Sequence, residues 1–135
     1  VMMLNGALAG LVAITAEPLT PTPGMAIVIG AIGAIIMYFG TKMLESFGID
    51  DVVGAIPVHM FAGIFGTLVV PVSNGDTSFG SQFLGTLSIC AFSFILSYIV
   101  FSAMKATIGL RISKEAEKLG TDKAEIGVTA YAIRD

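Results

Sequence analysis

The sequence predicts an all-α membrane protein, and three observations lead to this fold class. Hydrophobic residues make up 55% of the 135 residues and charged residues only 13%. The mean hydropathy is +0.89. The apolar residues are gathered in four long runs that are almost free of charge. A soluble domain of this size exposes about a third of its chain's surface, and so few charged residues could not cover it.

Each apolar run predicts one membrane-spanning helix, because roughly 20 consecutive apolar residues cross a bilayer. The predicted helices cover residues 1–16, 25–44, 53–70 and 82–104. The first run is short, and the chain enters it directly without an initiator methionine. We therefore expect the chain to be the carboxy-terminal portion of a longer protein. Gly6 and Gly10 in the first run, and Ala26, Gly30 and Ala34 in the second, predict faces for close helix packing.

The segments between the runs have the composition of loops. Residues 17–24 contain three prolines and end in glycine, and residues 73–80 are rich in turn formers. Pro57 is expected to start or kink the third helix, and Pro71 is expected to end it. Residues 111–135 carry five basic and five acidic side chains, which predicts a solvated tail.

The positive charges are distributed unevenly along the chain. Of the seven Lys and Arg residues, five lie within 111–135 and the others are Lys42 and Lys105. The loops 17–24 and 73–80 carry none. Because cytoplasmic loops are enriched in Lys and Arg, this asymmetry predicts a cytoplasmic carboxy terminus. We expect a multi-pass protein of the cell's inner (plasma) membrane.

His59 is the one histidine of the chain, and it lies inside the third apolar run. At 1.5 Å per residue from Asp51 it would lie ~12 Å into a bilayer core of about 30 Å. Three roles are open at this point: a hydrogen-bonded packing residue, a group on a transport pathway or proton relay, and a metal ligand. Packing is the default. No second His, Cys or carboxylate lies at that depth, which leaves the metal role the weakest.

Small side chains accompany the histidine along the predicted helix. Counting by fours places Ala55, His59, Gly63 and Thr67 on one face. None of these neighbours is large enough to cover the imidazole. We expect them to line a pore or to pack closely beside His59.

Asp50 and Asp51 precede the third run. Adjacent residues do not face each other on a helix, so they cannot share a proton as a catalytic pair does. Carboxylates at a helix start accept free backbone N–H groups, so both are interpreted as a structural helix start.

Several function classes find no support in the sequence. It contains no catalytic, nucleotide-binding or metalloprotease motif, so no enzyme activity and no cofactor are predicted. The net charge of −3 also argues against binding to nucleic acid.

Four stretches together resemble the ammonium transporter family, which includes the Rhesus proteins. They are, in order, NGALAGLVAITA, IDD, VHMFAGIFGTL and ATIGLRIS. The likeness covers essentially the whole chain and corresponds to the last four membrane helices and the cytoplasmic tail. The sequence departs from the common family pattern at Glu17-Pro18, at Met60, where glycine is usual, and at Ile126, where many members have histidine.

The resemblance implies an eleven-helix fold of two inverted halves, assembled as a homotrimer with one conducting path in each subunit. His59 matches the second of two histidines that meet in a hydrophobic pore, and the first would lie outside this chain. Asp50 and Asp51 match paired acidic residues with a structural role. The implied function is ammonium or ammonia transport across the lipid bilayer, with a PII-type signalling protein as a partner of the tail. The main alternative is an ammonium-sensing membrane module that regulates through its tail. A third interpretation is a four-helix membrane scaffold in which His59 is a hydrogen-bonded packing residue.

Overall fold

The computed structural model describes residues 1–130, and every regular element within them is helical. The elements are α1 (Met2–Thr15), α2 (Pro23–Ser46), a π-helix (Ile56–Phe61) that continues into α3 (Ala62–Ser73), α4 (Phe79–Thr107), α5 (Lys114–Leu119) and a second π-helix (Asp122–Ile126). Three segments are long and apolar enough to cross a membrane: Pro23–Ser46, Ile56–Ser73 and Phe79–Thr107. The helix Met2–Thr15 is apolar but shorter. The all-α membrane class predicted from the sequence is thereby confirmed.

The described residues form two compact units, one that ends at Phe92 and one that begins at Ser93. In the first unit, α1, α2 and the segment Ile56–Ser73 pack against one another. The buried side chains at their centre are those of Ala9, Met37, Val58 and Ala62. No residue of α4 is buried in this chain.

Glycines allow α1 and α2 to approach closely, as the sequence predicted. A Cβ on Gly10 would lie 3.1 Å from the carbonyl oxygen of Gly30, and a Cβ on Gly6 would lie 3.9 Å from Cβ of Ala34. The two helices are in closer contact at Gly33, where an added Cβ would lie 2.7 Å from Cβ of Ala13. Backbone contact of this kind is how helices associate where apolar burial gives little driving force.

We predict that Gly33→Ala lowers the thermal stability of the protein, by about 1–3 kcal/mol in free energy of unfolding, because the added methyl group overpacks the α1–α2 contact. Gly24→Ala is a matched control on the same helix, since nothing lies within 4 Å of its added Cβ. Thermal unfolding of the detergent-solubilised protein compares the two. Equal midpoints would contradict the packing described here.

The third helical segment differs from its predicted bounds at both ends. The sequence predicted 53–70 with Pro71 as the terminator, but the helix passes through Pro71 and ends at Ser73. The prediction for Pro71 was therefore wrong. A proline near the helix end removes a single backbone hydrogen bond. Backbone hydrogen bonding continues past Pro71, since Asn74 N donates to Val70 O at 3.0 Å.

The loop between α1 and α2 is tied to the end of α3 by side chains. Asn74 Nδ2 donates to Glu17 Oε2 at 2.8 Å, and Thr20 Oγ1 donates to Ser73 Oγ at 3.3 Å. The hydrogen bond from Asn74, followed by that from the Leu19 N–H, lowers the pKa of the Glu17 carboxyl below its ordinary value. The loop is thus anchored by an ionised Glu17.

We predict an acid dependence of stability that originates at Glu17. Because its pKa is lower in the folded state, its contribution is present above the unfolded-state pKa and is lost as the pH falls through the lowered value. Thermal midpoints measured between neutral and acid pH should fall slightly more for the wild type than for Glu17→Gln, which cannot titrate. The contribution is small because solvent screens the group. Identical acid slopes for the two proteins would contradict this assignment.

The second unit includes residues 111–130 of the predicted solvated tail, and residues 131–135 of that prediction lie outside the described residues. Ser113 Oγ accepts from Ala116 N at 3.1 Å and begins α5. Asp122 Oδ2 accepts from Ala130 N at 2.8 Å and closes the turn after the second π-helix. Neither short helix contains a buried residue, and Ile126 is exposed. The tail is held by local caps and has no apolar core of its own among residues 111–130.

Candidate functional site

A turn over residues 51–54 begins the segment that bears the histidine. Gly54 N donates to Asp51 O at 3.1 Å, and Gly54 has φ of +76°, a conformation that favours glycine. The two carboxylate oxygens of Asp51 accept from Ala55 N at 2.9 Å and Ile56 N at 2.8 Å. Asp51 thus satisfies two of the free N–H groups at the helix start and places a negative charge at its positive end.

Asp50 has a different environment from its neighbour. Its side chain is exposed and makes no hydrogen bond with any residue of the described part of the chain. It lines a cavity of about 250 Å³ together with Asp51 and Thr41. Of the two predicted helix-start residues, the structure gives the capping contacts to Asp51 alone.

The first turns of this segment form a π-helix, which the sequence did not predict. Pro57 occupies its first turn, where the missing N–H costs nothing. Gly40 of α2 lies beneath it: an added Cβ would be 2.5 Å from Cδ2 of Phe61 and 3.2 Å from Cβ of Pro57. The absence of a side chain at Gly40 is therefore what lets the π-helix lie against α2.

His59 lies in this π-helix with its side chain turned away from the core. Its neighbours Val58 and Ala62 are 1% and 0% exposed, whereas His59 and Met60 are exposed. The imidazole makes no hydrogen bond with any residue of the segment 1–130. Its donor and its acceptor are both available to a group outside this unit.

The residues predicted to accompany His59 do not all share its face. Ala55 is exposed like His59, but Gly63 and Thr67 are half-buried. Gly63 faces α1, since an added Cβ would lie 3.6 Å from Cγ1 of Val12. Thr67 Oγ1 donates to Gly63 O at 2.9 Å. A π-helix bonds i to i+5, so counting by fours drifts around the helix between Ala55 and Gly63.

A hydrogen bond from α1 to the turn before the π-helix was not predicted as part of this site. Asn5 of α1 donates from Nδ2 to Val53 O at 2.9 Å. The available signal is an amide side chain in an otherwise apolar run, which indicates a hydrogen bond but does not specify its partner.

An exposed imidazole in an apolar segment can exchange a proton or donate a hydrogen bond to a passing molecule. In the residues that the structure describes, no group of three His, Cys, Asp or Glu side chains is placed to hold a metal ion. The arrangement supports chemistry by a single imidazole beside apolar and small side chains.

The chain is similar to known proteins of one family. The model of the Ammonium Transporter Family matches residues 1–131. Ammonium transporter Amt2 of Archaeoglobus fulgidus is 37% identical over 151 residues, covering 96% of this chain and 32% of the relative. A putative ammonium transporter of Synechocystis is 39% identical over 132 residues, with 96% and 30% covered. Ammonium transporter 1 of Schizosaccharomyces pombe is 32% identical over 154 residues, with 97% and 31% covered.

The chain thus spans about a third of the length of the relatives it matches. Within that third, the match covers nearly every residue, including the turn at Asp51 and the π-helix that carries His59. Together with the apolar helices, this extent of similarity shows that the chain belongs to the ammonium transporter family.

Proposed function

We propose that this chain is the carboxy-terminal part of a protein that moves ammonium, as the ion or as ammonia, across a cell membrane for nitrogen uptake. The observation that carries the proposal is the family match over residues 1–131, on a chain with three helices apolar enough to span a bilayer. The relatives from an archaeon, a cyanobacterium and a yeast are all named as ammonium transporters.

For ammonium to cross apolar surroundings as neutral ammonia, a group in the protein must accept its proton. An unpaired ion moved into such surroundings loses several kcal/mol or more of hydration, whereas neutral ammonia loses far less. In our proposal ammonium is bound and deprotonated at the outer mouth, ammonia crosses, and His59 together with a second histidine from further sequence carries or guides the proton inward. His59 is exposed although Val58 and Ala62 beside it are buried, which supports an interaction of the imidazole with a group outside this unit.

The wider architecture is part of the same proposal. Further sequence would complete an eleven-helix fold of two inverted halves and would supply a second histidine opposite His59. Three such subunits would form a homotrimer in the plasma membrane, with the tail on the cytoplasmic side, where a PII-type protein could bind. The concentration of positive charge in residues 111–135 supports this orientation.

Uptake by living cells tests the proposal. The full-length protein is produced in a host strain that lacks its own ammonium transporters, and uptake of labelled methylammonium and growth at low ammonium are measured. We expect both to exceed those of the empty-vector strain. Suppose instead that the protein reaches the membrane in normal amount, adds no uptake, and alters the host's ammonium response only when residues 111–135 are present. The sensing alternative would then replace transport.

A further inference from the structure

Asn5 makes a long-range contact that connects α1 to the start of the histidine segment. Its Nδ2 donates to the carbonyl oxygen of Val53 at 2.9 Å, across 48 positions of sequence. Val53 immediately precedes the turn glycine, and its carbonyl lies outside the helix that follows. This carbonyl has no helical hydrogen bond of its own, and the amide of Asn5 provides a partner.

The Asn5 side chain also fits sterically against the turn. A Cβ on Gly54 would lie 2.5 Å from Nδ2 of Asn5, so the amide occupies the space that any side chain at position 54 would fill. Gly54 also has a positive φ. The same glycine therefore makes the turn and admits the side chain that holds it.

The turn is hydrogen-bonded to the π-helix that bears His59. Gly54 O accepts from Val58 N at 3.1 Å, which is the first backbone bond that reaches into the π-helix. The Asp51 carboxylate accepts hydrogen bonds from the N–H groups of Ala55 and Ile56. Residues 53–56 are thus fixed by α1 at one end and by the Asp51 carboxylate at the other.

We propose that Asn5 is a positioning residue for transport: its hydrogen bond to Val53 O fixes where the helix begins, and thereby the direction in which the π-helix presents His59. The inference rests on the proposed role of His59. The backbone hydrogen bonds of a π-helix span five residues and those of an α-helix span four, so releasing the start allows the segment to adopt an α-helical register that turns the imidazole to a different side. Asn5 acts through the backbone and touches no substrate.

The experiment uses the full-length protein with Asn5→Leu, Gly54→Ala and the double substitution. Asn5→Leu keeps approximately the size of the side chain but removes the donor, and Gly54→Ala disturbs the same contact from the other side. Thr15→Val is the matched control on α1, because Thr15 Oγ1 donates within its own helix, to Leu11 O at 2.6 Å. All variants are compared at equal membrane abundance.

Two readouts separate positioning from general loss of structure. Hydrogen–deuterium exchange should rise about fivefold over residues 51–62 in Asn5→Leu and remain unchanged over α2. Ammonium uptake per protein should fall by a similar factor, and the ratio of charge moved to ammonium taken up should change. The double substitution should change exchange and uptake no more than the stronger single substitution does, because the two single substitutions break the same contact. Thr15→Val should match the wild type in every measurement.

The outcomes are distinguishable from failure of the proposed function. Unchanged exchange over residues 51–62, or raised exchange with wild-type uptake and charge ratio, would overturn the positioning role. Raised exchange in both 51–62 and α2 would also overturn it, because Asn5 would then support the fold as a whole. The role of His59 is judged separately, by His59→Ala alone.

Discussion

Replacing His59 with alanine in the full-length protein should lower proton-coupled ammonium current and ammonium uptake by about a hundredfold, the scale on which a positioned proton-transfer group acts. The stability of the protein should change little. The imidazole is exposed, lies outside the buried core, and makes no hydrogen bond within residues 1–130. Removing it therefore leaves neither a cavity nor an unpaired partner in the part of the chain that the structure describes.

Met60→Ala is the matched control for this substitution. Met60 is the next residue in the same π-helix and is 50% exposed, so it shares the surroundings of His59 without its chemistry. We expect the control to retain most of its uptake and current. The measurement is current and uptake in parallel, normalised to the amount of protein in the membrane. If His59→Ala keeps both at wild-type level, the proposed role of the imidazole is wrong.

Asp51→Ala should be the most damaging substitution for stability in the turn before the π-helix. It removes two charge-assisted hydrogen bonds, to Ala55 N and Ile56 N, and a negative charge at the positive end of the helix. A helix cap contributes about 1 kcal/mol, and hydrogen bonds to charged groups about 1.5–3 kcal/mol. We expect a loss of about 2–3 kcal/mol in free energy of unfolding.

Asp50→Ala serves as the control, because it removes the same charge one residue earlier without breaking a hydrogen bond in the described part of the chain. Asp51→Asn should lie between the two, since its single carbonyl oxygen can replace only one of the two carboxylate acceptors. Thermal unfolding of the solubilised full-length protein ranks the three variants. A midpoint for Asp50→Ala as low as that for Asp51→Ala would show that charge, and not capping, is what this turn requires.

The features predicted correctly from the sequence are those that depend on composition and local chemistry. The apolar runs gave the membrane class, and the paired small residues identified the faces on which Gly10 and Gly30 meet. Of the two carboxylates interpreted as a helix start, only Asp51 makes capping contacts in the described part of the chain, and capping involves only residues a few positions apart. The position of Asp51 four and five residues before its partners fits this local rule.

The features that were missed depend on contacts between distant segments. The π-helix at Ile56–Phe61 requires the bare backbone of Gly40, which comes from another helix. The partner of Asn5 lies 48 positions away, and no local pattern specifies it. Pro71 was expected to end a helix that in fact continues to Ser73, since one lost hydrogen bond near a helix end is tolerated. The depth first estimated for His59 assumed an α-helix from Asp51 onward, but residues 52–54 form a turn.

Flux through the purified full-length protein in lipid vesicles tests the central claim most directly. An inward ammonium gradient is imposed, and ammonium entry and charge movement are recorded against protein-free vesicles, with an equal potassium gradient as a second control. Our account predicts ammonium entry well above the protein-free rate and no comparable potassium flux. Ammonium entry equal to that of protein-free vesicles, or potassium carried as readily as ammonium, would contradict it.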